Sequence, residues 1–142
     1  MKRCDQSLFR IFKHMIEKNS VTNIFFDLDH TLWDFEKNSA ATFESILPPY
    51  FFSFTVPDFM AAYAPINHAY WKLYRENKIT TEELRFLRLQ KTFEVLRFPQ
   101  SDEIIQRISE QYIQQLSTHT HLFPGTLDLL ENLHKKYRLH II

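Results

Sequence analysis

The sequence predicts an α/β fold in which two parallel strands, far apart in the chain, flank an inserted bundle of helices. The first strand is a continuous apolar run over residues 23–27 that ends in a cluster of charged residues. A short apolar run without polar alternation is typical of a parallel strand that is buried on both faces. Apolar residues then recur at helical spacing as far as residue 133, and a second strand-like run occupies 138–142. This order of strand, four helices, helix and strand indicates a crossover pair of strands.

The helices are predicted from apolar spacing and from the residues that begin and end them. Asp34 is placed to cap the first helix, which Pro48 ends, and Thr80 with Glu83 forms a capping box for the third. Pro65 lies inside the second helical pattern, so a kink or a break is expected there. The apolar stripes are Phe35, Thr42, Phe43, Ile46 and Leu47; Phe59, Tyr63, Ile66, Tyr70 and Tyr74; Ile104, Ile108, Tyr112 and Leu116; and Leu127, Leu130 and Leu133.

This pattern divides the chain into three parts. Residues 1–20 space their apolar side chains as a short amphipathic helix does, and we interpret them as an N-terminal extension. Residues 21–33 and 118–142 contain the two strands and are interpreted as a partial α/β core. Residues 34–117 are interpreted as a helical cap, and Ser101 is predicted to cap the last of its helices.

The composition excludes several classes of function. One glycine in 142 residues leaves no glycine-rich phosphate loop and no dinucleotide-binding turn. The 17 Lys and Arg balance 17 Asp and Glu, which argues against a protein that grips polymeric nucleic acid. No apolar run reaches the roughly 18 residues of a membrane span, and no signal peptide is recognisable. Because the single cysteine, Cys4, cannot form an internal disulfide, the expected compartment is the cytoplasm.

One short segment carries the residues of chemical interest, and it reads Phe26-Asp27-Leu28-Asp29-His30-Thr31-Leu32-Trp33-Asp34. Two carboxylates, Asp27 and Asp29, follow the first strand, at the position where open α/β sheets bind ligands. A carboxylate there can act as a nucleophile, a metal ligand or a helix cap. Two of them repel each other, which raises one pKa and lets one attack while the other transfers a proton. Thr31 adds a hydroxyl, and the N–H groups of the turn can face a phosphate.

Two other interpretations of this segment follow from its residues. A calcium-binding EF-hand loop that starts at Asp27 would need glycine at its sixth position and glutamate at its twelfth, where Leu32 and Asn38 stand, so that interpretation fails. A simple capped turn, in which Asp29 and Thr31 satisfy backbone groups, stays open on the residues alone.

The segment resembles motif I of the haloacid dehalogenase-like (HAD) hydrolases, which are Mg²⁺-dependent phosphohydrolases that act through an aspartyl-phosphate. It is most similar to the noncanonical pyrimidine 5′-nucleotidase branch of that superfamily. The resemblance covers about residues 21–142 and implies a Rossmann-like core, truncated to two parallel strands, with an inserted α-helical cap. Further matches lie in the cap, at Ile66-Asn67, Trp71 and 78–85, and before motif II, at Phe123-Pro124-Gly125 and 137–142.

The resemblance implies a role for each residue of the motif. Asp27 would be the nucleophile and a Mg²⁺ ligand. Asp29 would protonate the leaving nucleoside oxygen and then deprotonate the attacking water, while its main-chain carbonyl binds the metal. The phosphate would lie against Leu28, Asp29 and Thr31. The implied substrate is a nucleoside 5′-monophosphate, with a sugar-phosphate phosphatase or phosphomutase as the alternative on the same scaffold.

The resemblance also implies what should follow residue 142, namely the Ser or Thr of motif II, the Lys of motif III and the distal acidic metal ligands. We therefore expect the 142 residues alone to be inactive. The alternative class of function is a non-catalytic remnant or helical interaction module. The remaining polar and aromatic features are interpreted as structural rather than as sites. They are a polar loop at His119-Thr120-His121, a solvated face at Arg85, Arg88 and Lys91, and helix packing at Tyr63, Tyr70, Trp71 and Tyr74.

Overall fold

The computed structural model describes residues 21–50 and 52–142, and the predicted N-terminal helix lies outside these residues. The described elements follow the predicted order of strand, four helices, helix and strand, with one 3₁₀ turn added. They are β1 (Asn23–Phe26), α1 (Phe35–Ile46), the 3₁₀ turn (Pro48–Tyr50), α2 (Val56–Arg75), α3 (Thr81–Val95), α4 (Asp102–Leu116), α5 (Thr126–Leu133) and β2 (Arg138–Ile141). None of the helices in these two ranges is long and apolar enough to cross a membrane.

The chain forms two compact units. Asp34–His121 make up one, here called the helical unit, and the described residues 21–33 and 122–142 belong to the other, the strand unit. The helical unit ends after His121 rather than at residue 117, where the sequence predicts its end. Hydrogen bonds from the start of α1 explain this difference, because the Asn38 side chain binds both the N–H and the carbonyl of His121.

The helical unit has one apolar core to which all four of its helices contribute. Phe43 of α1 lies near its centre, with its ring centroid 4.6 Å from that of Phe59, 4.9 Å from that of Tyr63 and 4.7 Å from that of Tyr112. Aromatic pairs at these distances stabilise a fold beyond the area that they bury. The core residues are Phe43, Ile46, Leu47, Phe59, Tyr63, Leu89, Phe93, Ile105, Ile108 and Tyr112.

The helix boundaries agree with most of the predicted signals. The Asp34 carboxylate accepts a hydrogen bond from the Lys37 N–H, and the capping box of Thr80 and Glu83 is present. Ser101 occupies the N-cap of α4 but makes no side-chain cap bond. A kink or a break was expected at Pro65, and the break is wrong, because α2 continues through Pro65 to Arg75. Packing on either side offsets the lost backbone bond, since Tyr63 and Asn67 are both buried.

The predicted solvated face of basic residues on α3 is wrong for Arg88, which is buried. Its Nη1 donates to Asn67 Oδ1 over 2.8 Å, and its guanidinium carbon lies 5.8 Å and 5.2 Å from the ring centroids of Tyr63 and Tyr112. Its Nε–H has no hydrogen-bond partner among the described residues. Arg88 therefore belongs to the interior of the helical unit, where its charge is offset by an amide oxygen and two aromatic rings.

The described part of the strand unit contains β1, β2 and α5. The two strands pair in parallel, with Asn23 opposite Arg138 and Phe26 opposite Ile141, as the crossover prediction requires. The expectation that β1 is buried on both faces is wrong, because Phe25 is 60% exposed. In the described residues this ring stacks only on His140, with centroids 4.6 Å apart. A sheet of two strands has little structure to cover its second face.

Candidate active site

The candidate site is the loop that joins β1 to α1, and the loop is closed by its own backbone. The carbonyl of Leu28 accepts hydrogen bonds from the N–H groups of Thr31, Leu32 and Trp33 at 3.3, 3.0 and 3.0 Å. The His30 N–H donates to the carbonyl of Trp33 over 3.0 Å. His30 has φ of 59°, in the left-handed region where histidine is among the more frequent non-glycine residues. Asp27 and Asp29 thus sit on a tight, internally bonded turn.

Leu32 anchors this turn in the strand unit. Its side chain is buried, and its carbonyl accepts bonds from the Phe123 N–H at 3.1 Å and from Thr126 Oγ1 at 3.4 Å. Thr126 is the first residue of α5 and follows Gly125, whose φ of 81° lets the chain turn into the helix. The sequence pattern does not single out Thr126, because a threonine at a helix start ordinarily acts as a cap. The one local signal that could have identified Thr126 is its position directly after Gly125, the only glycine in the sequence.

The two carboxylates differ in their surroundings. Asp27 is exposed, and its Oδ2 accepts a hydrogen bond from Thr31 Oγ1 over 3.1 Å. The Asp29 residue is also exposed in area, yet neighbouring atoms displace enough water from its carboxyl group to raise its pKa. The charge of His30 lowers the pKa of Asp29, and the nearby Asp27 carboxylate raises it. The balance favours a protonated Asp29 more than in an ordinary aspartate.

The turn also presents backbone donors. Within the described ranges, the N–H groups of Leu28 and Asp29 donate no hydrogen bond to another residue. No lysine or arginine of those ranges forms an ion pair with Asp27 or Asp29, because the three ion pairs found there are Lys72–Glu76, Lys78–Glu76 and Lys91–Glu94. The turn therefore offers these two backbone amides and the Thr31 hydroxyl as donors.

The oxygen atoms at this turn are of the kind that a hard cation binds, but only two of them are available as metal ligands. A carboxylate oxygen of Asp27 and the main-chain carbonyl of Asp29 are the oxygen ligands that Mg²⁺ prefers, and water commonly completes its six-fold shell. In the part of the chain that the structure describes, no group of three His, Cys, Asp or Glu residues is arranged to hold a metal ion. These residues therefore fit a magnesium ion that keeps several water ligands.

The remaining predicted features lie elsewhere. The His119-Thr120-His121 loop ends the helical unit, and the backbone of His121 is bound by Asn38. Tyr63 belongs to the core of the helical unit, whereas Trp71 is 37% exposed and contacts Tyr74 edge-on with centroids 5.6 Å apart.

Comparisons with known proteins agree with the fold. The sequence profile of the family described as haloacid dehalogenase-like hydrolase matches residues 24–142. The chain is 24% identical over 119 residues to the Bacillus subtilis (strain 168) protein YfnB, a HAD-hydrolase by name, and this match covers 84% of the chain and 49% of YfnB.

A crystal structure of YfnB matches with a TM-score of 0.74 and 24% identity, over 86% of this chain and 52% of YfnB. That structure is described as an orthorhombic form bound to magnesium that reveals interdomain movement. The chain thus spans about half the length of this relative.

Proposed function

The chain belongs to the haloacid dehalogenase-like hydrolase family, and we propose that it supplies the nucleophile and the acid–base residue of a Mg²⁺-dependent phosphohydrolase. The proposed substrate is a nucleoside 5′-monophosphate. The observation that carries the proposal is the turn after β1, in which Thr31 binds one oxygen of Asp27 while the pKa of Asp29 is raised. One carboxylate is thereby suited to attack and the other to donate a proton.

In the proposed first step, a carboxylate oxygen of Asp27 attacks the phosphorus atom of the substrate. The bond between phosphorus and the nucleoside oxygen breaks, and its electron pair leaves on that oxygen. Asp29 gives its proton to the leaving oxygen, which releases the neutral nucleoside and leaves a phosphoryl group on Asp27. The Thr31 hydroxyl, which donates to Asp27 Oδ2 over 3.1 Å, orients the nucleophile.

The second step returns the residues to their starting state. Asp29, now a carboxylate, takes a proton from a water molecule whose oxygen attacks the phosphorus. The bond between phosphorus and Asp27 breaks, and inorganic phosphate leaves. The N–H groups of Leu28 and Asp29 are proposed to bind the phosphate oxygens, since these two amides donate to no other described residue. The Thr31 hydroxyl has a single hydrogen, so we propose that it turns from Asp27 to a phosphate oxygen once the phosphoryl group is bound.

Magnesium would be held by the Asp27 carboxylate and the main-chain carbonyl of Asp29. When bound, it supplies positive charge that offsets the repulsion between a phosphate dianion and Asp27, which is about 8 kcal/mol at 4 Å and an effective dielectric constant near 20. YfnB, a relative at 24% identity, is described as bound to magnesium.

The proposed compartment is the cytoplasm, on the grounds of the single cysteine in the chain.

The nucleotide substrate rests on the resemblance of the motif I segment to the pyrimidine 5′-nucleotidase branch. A sugar-phosphate phosphatase or phosphomutase would use the same turn with a different leaving group. Phosphate release from a panel of nucleoside 5′-monophosphates and sugar phosphates, with protein that contains this chain and its natural flanking sequence, separates the two. Faster turnover of sugar phosphates would contradict the nucleotide proposal while leaving the nucleophile untouched.

The test of the nucleophile is a beryllofluoride trap, because this phosphate analogue carries one negative charge and its repulsion from Asp27 is about half as large. With Mg²⁺ present, we expect a ¹⁹F NMR signal of a bound adduct. The Asp27→Asn variant should lose this signal. The control Asp34→Asn, which makes the same change at a nearby carboxylate and keeps a helix-capping oxygen, should retain it. An intact fold without any Asp27-dependent adduct would overturn the assignment.

A second measurement concerns the polypeptide of residues 1–142 alone. We expect its Mg²⁺-dependent phosphatase activity to equal that of its Asp27→Asn variant, because no lysine or arginine of the described residues pairs with the two carboxylates. A rate clearly above that of the variant would show that this turn suffices for turnover.

A further inference from the structure

The two faces of the strand pair in the strand unit are covered unequally. The first face is the one that α5 covers, because Leu130 of that helix lines a groove of about 340 Å³ together with Phe26 of β1 and Leu139 of β2. Successive side chains of a strand point to opposite faces of a sheet. Phe25 and its register partner His140 therefore lie on the other face, here called the second face.

The second face carries apolar side chains that the described residues leave in contact with solvent. The hydrogen bonds between the strands extend to Thr22 at one end and to Ile142 at the other, and the same alternation places Val21 and Ile142 on the side of Phe25. All three apolar side chains are exposed, Phe25 by 60% and Ile142 by 77%. Since parallel sheets are ordinarily covered on both faces, this second face calls for a cover.

The segment that precedes β1 has the sequence of such a cover. Twenty residues lie before Val21, and the apolar ones in 8–16 recur at the spacing of a one-sided amphipathic helix. The stripe consists of Leu8, Phe9, Phe12, Met15 and Ile16, with Ile11 at its margin. Arg10, His14 and Glu17 fall on the opposite side of the same pattern.

The length of the segment and the point at which it ends also suit the second face. A helix over residues 8–16 would be about 13 Å long, and the four residues of β1 extend over about the same distance. The connecting residues 17–22 reach at most about 20 Å, which is enough to turn the segment back along the strand. The same order of helix, short connection and strand recurs in this unit, where residues 134–137 join α5 to β2.

We propose that residues 8–16 form a helix whose apolar stripe packs on the second face, over Val21, Phe25 and Ile142. The parallel pair then has one helix on each face, α5 on the first and this segment on the second. The proposal concerns what covers the sheet, and it does not depend on the chemistry of Asp27.

Nuclear Overhauser effects test this packing in the full 142-residue chain without any substitution. We expect contacts between the ring protons of Phe12 and the methyl groups of Val21 and Ile142. A mixture of isotopically labelled and unlabelled chains separates contacts within one chain from contacts between two copies. Contacts that arise only between copies would assign the second face to another chain, and they would overturn the proposal, as would the absence of any contact.

A pair of matched substitutions gives a second readout. Phe12→Glu places a charge at the centre of the stripe, and His14→Glu places the same charge on its opposite side. Phe12→Glu should abolish the contacts and make amide exchange at Arg138 about tenfold faster, because the bond from its N–H to the Thr22 carbonyl loses its cover. His14→Glu should leave both unchanged, and exchange at Phe93 of the helical unit should change by less than about twofold in either variant. Equal effects of the two substitutions would contradict the proposal.

The remaining possible occupant is the sequence that follows residue 142 in a longer protein. The same Overhauser measurement is therefore repeated on protein that carries the natural flanking sequence. Contacts between Phe12 and Ile142 that persist there support the proposal. If residues beyond 142 contact Val21 and Phe25 in place of Phe12, the second face belongs to that sequence and the proposal fails.

Discussion

The two units of this chain hold their folds in different ways. Of the thirteen buried apolar side chains among the described residues, twelve belong to the helical unit and the thirteenth, Leu32, to the strand unit. The large apolar side chains that are exposed show the opposite distribution, because seven of the ten among the described residues lie in the strand unit. The helical unit therefore has a core of its own, whereas the described residues of the strand unit are held together mainly by backbone hydrogen bonds and by one buried leucine.

This difference has a consequence for function. The proposed nucleophile lies in the unit with the smaller core, on a turn that is closed by its own backbone and anchored by Leu32. Elements with few buried apolar contacts open locally at low free-energy cost. The geometry of Asp27 and Asp29 thus depends on the turn bonds to Leu28 and Leu32 more than on packing around the carboxylates.

The largest expected contrast is between a core phenylalanine and a strand phenylalanine. Phe93 is fully buried, with its ring 5.2 Å from that of Phe52 and 5.6 Å from that of Phe59. Phe93→Ala should lower the free energy of unfolding by about 3–5 kcal/mol. Phe25→Ala should lower it by less than about 1 kcal/mol, since that ring is 60% exposed. Urea unfolding followed by far-UV circular dichroism measures both, and equal losses would contradict the contrast.

Local signals account for what the sequence predicts correctly. The capping box of Thr80 and Glu83 needs only residues three apart, and the turn at Asp27 follows directly from the strand before it. The burial of β1 cannot be predicted from local signals, because it depends on how many strands and helices cover the sheet. The apolar run that ends at Phe26 is compatible with either outcome.

Arg88 illustrates the same limit of local sequence signals, in this case on a helix. Arg85 and Arg88 are both basic residues at helical spacing on α3, yet Arg88 is buried and Arg85 is exposed. Which one faces inward is decided by Asn67 and by the tyrosine rings of α2 and α4, which lie far away in the sequence.

The second prediction uses this pair of arginines. Arg88→Lys keeps the charge but loses the planar group that binds Asn67 Oδ1 and lies against Tyr63 and Tyr112, so it should lower the free energy of unfolding by about 1–3 kcal/mol. Arg85→Lys, on the same helix, should change it by no more than about 0.5 kcal/mol. The same urea titration serves as the measurement. A similar small effect of both variants would mean that the helical unit tolerates a loosened interior.

The third prediction compares two helix starts within the helical unit. The Thr80 hydroxyl accepts a bond from the Glu83 N–H over 3.1 Å, whereas Ser101 makes no side-chain cap bond. Thr80→Ala should therefore lower stability by about 1 kcal/mol, and Ser101→Ala by only a few tenths. Thermal unfolding of the two variants beside the parent chain is sufficient. Loss of equal size would indicate that the Ser101 hydroxyl caps α4 in solution.

The smallest effect concerns charge in the strand unit. Because desolvation and the Asp27 charge raise the pKa of Asp29 while His30 lowers it, Asp27→Asn should lower this pKa and His30→Gln should raise it. Titration of the Asp29 carboxyl carbon by ¹³C NMR measures both changes. Asp34→Asn is the control, because it changes neither of the two charged groups that shift the pKa of Asp29.

The raised pKa of Asp29 also determines how the free energy of unfolding changes with pH. A carboxyl group whose pKa is higher in the folded protein than in the unfolded chain stabilises the fold at pH values below its unfolded pKa, and this contribution is lost as the pH rises through its folded pKa. Asp27→Asn should narrow the pH range between the unfolded and the folded pKa of Asp29, over which this contribution is lost, because it moves the folded pKa back towards its ordinary value. If the Asp29 midpoint responded to neither neighbour, desolvation alone would set it. The two carboxylates would then be uncoupled, and the division of labour between nucleophile and proton donor would lose its electrostatic basis.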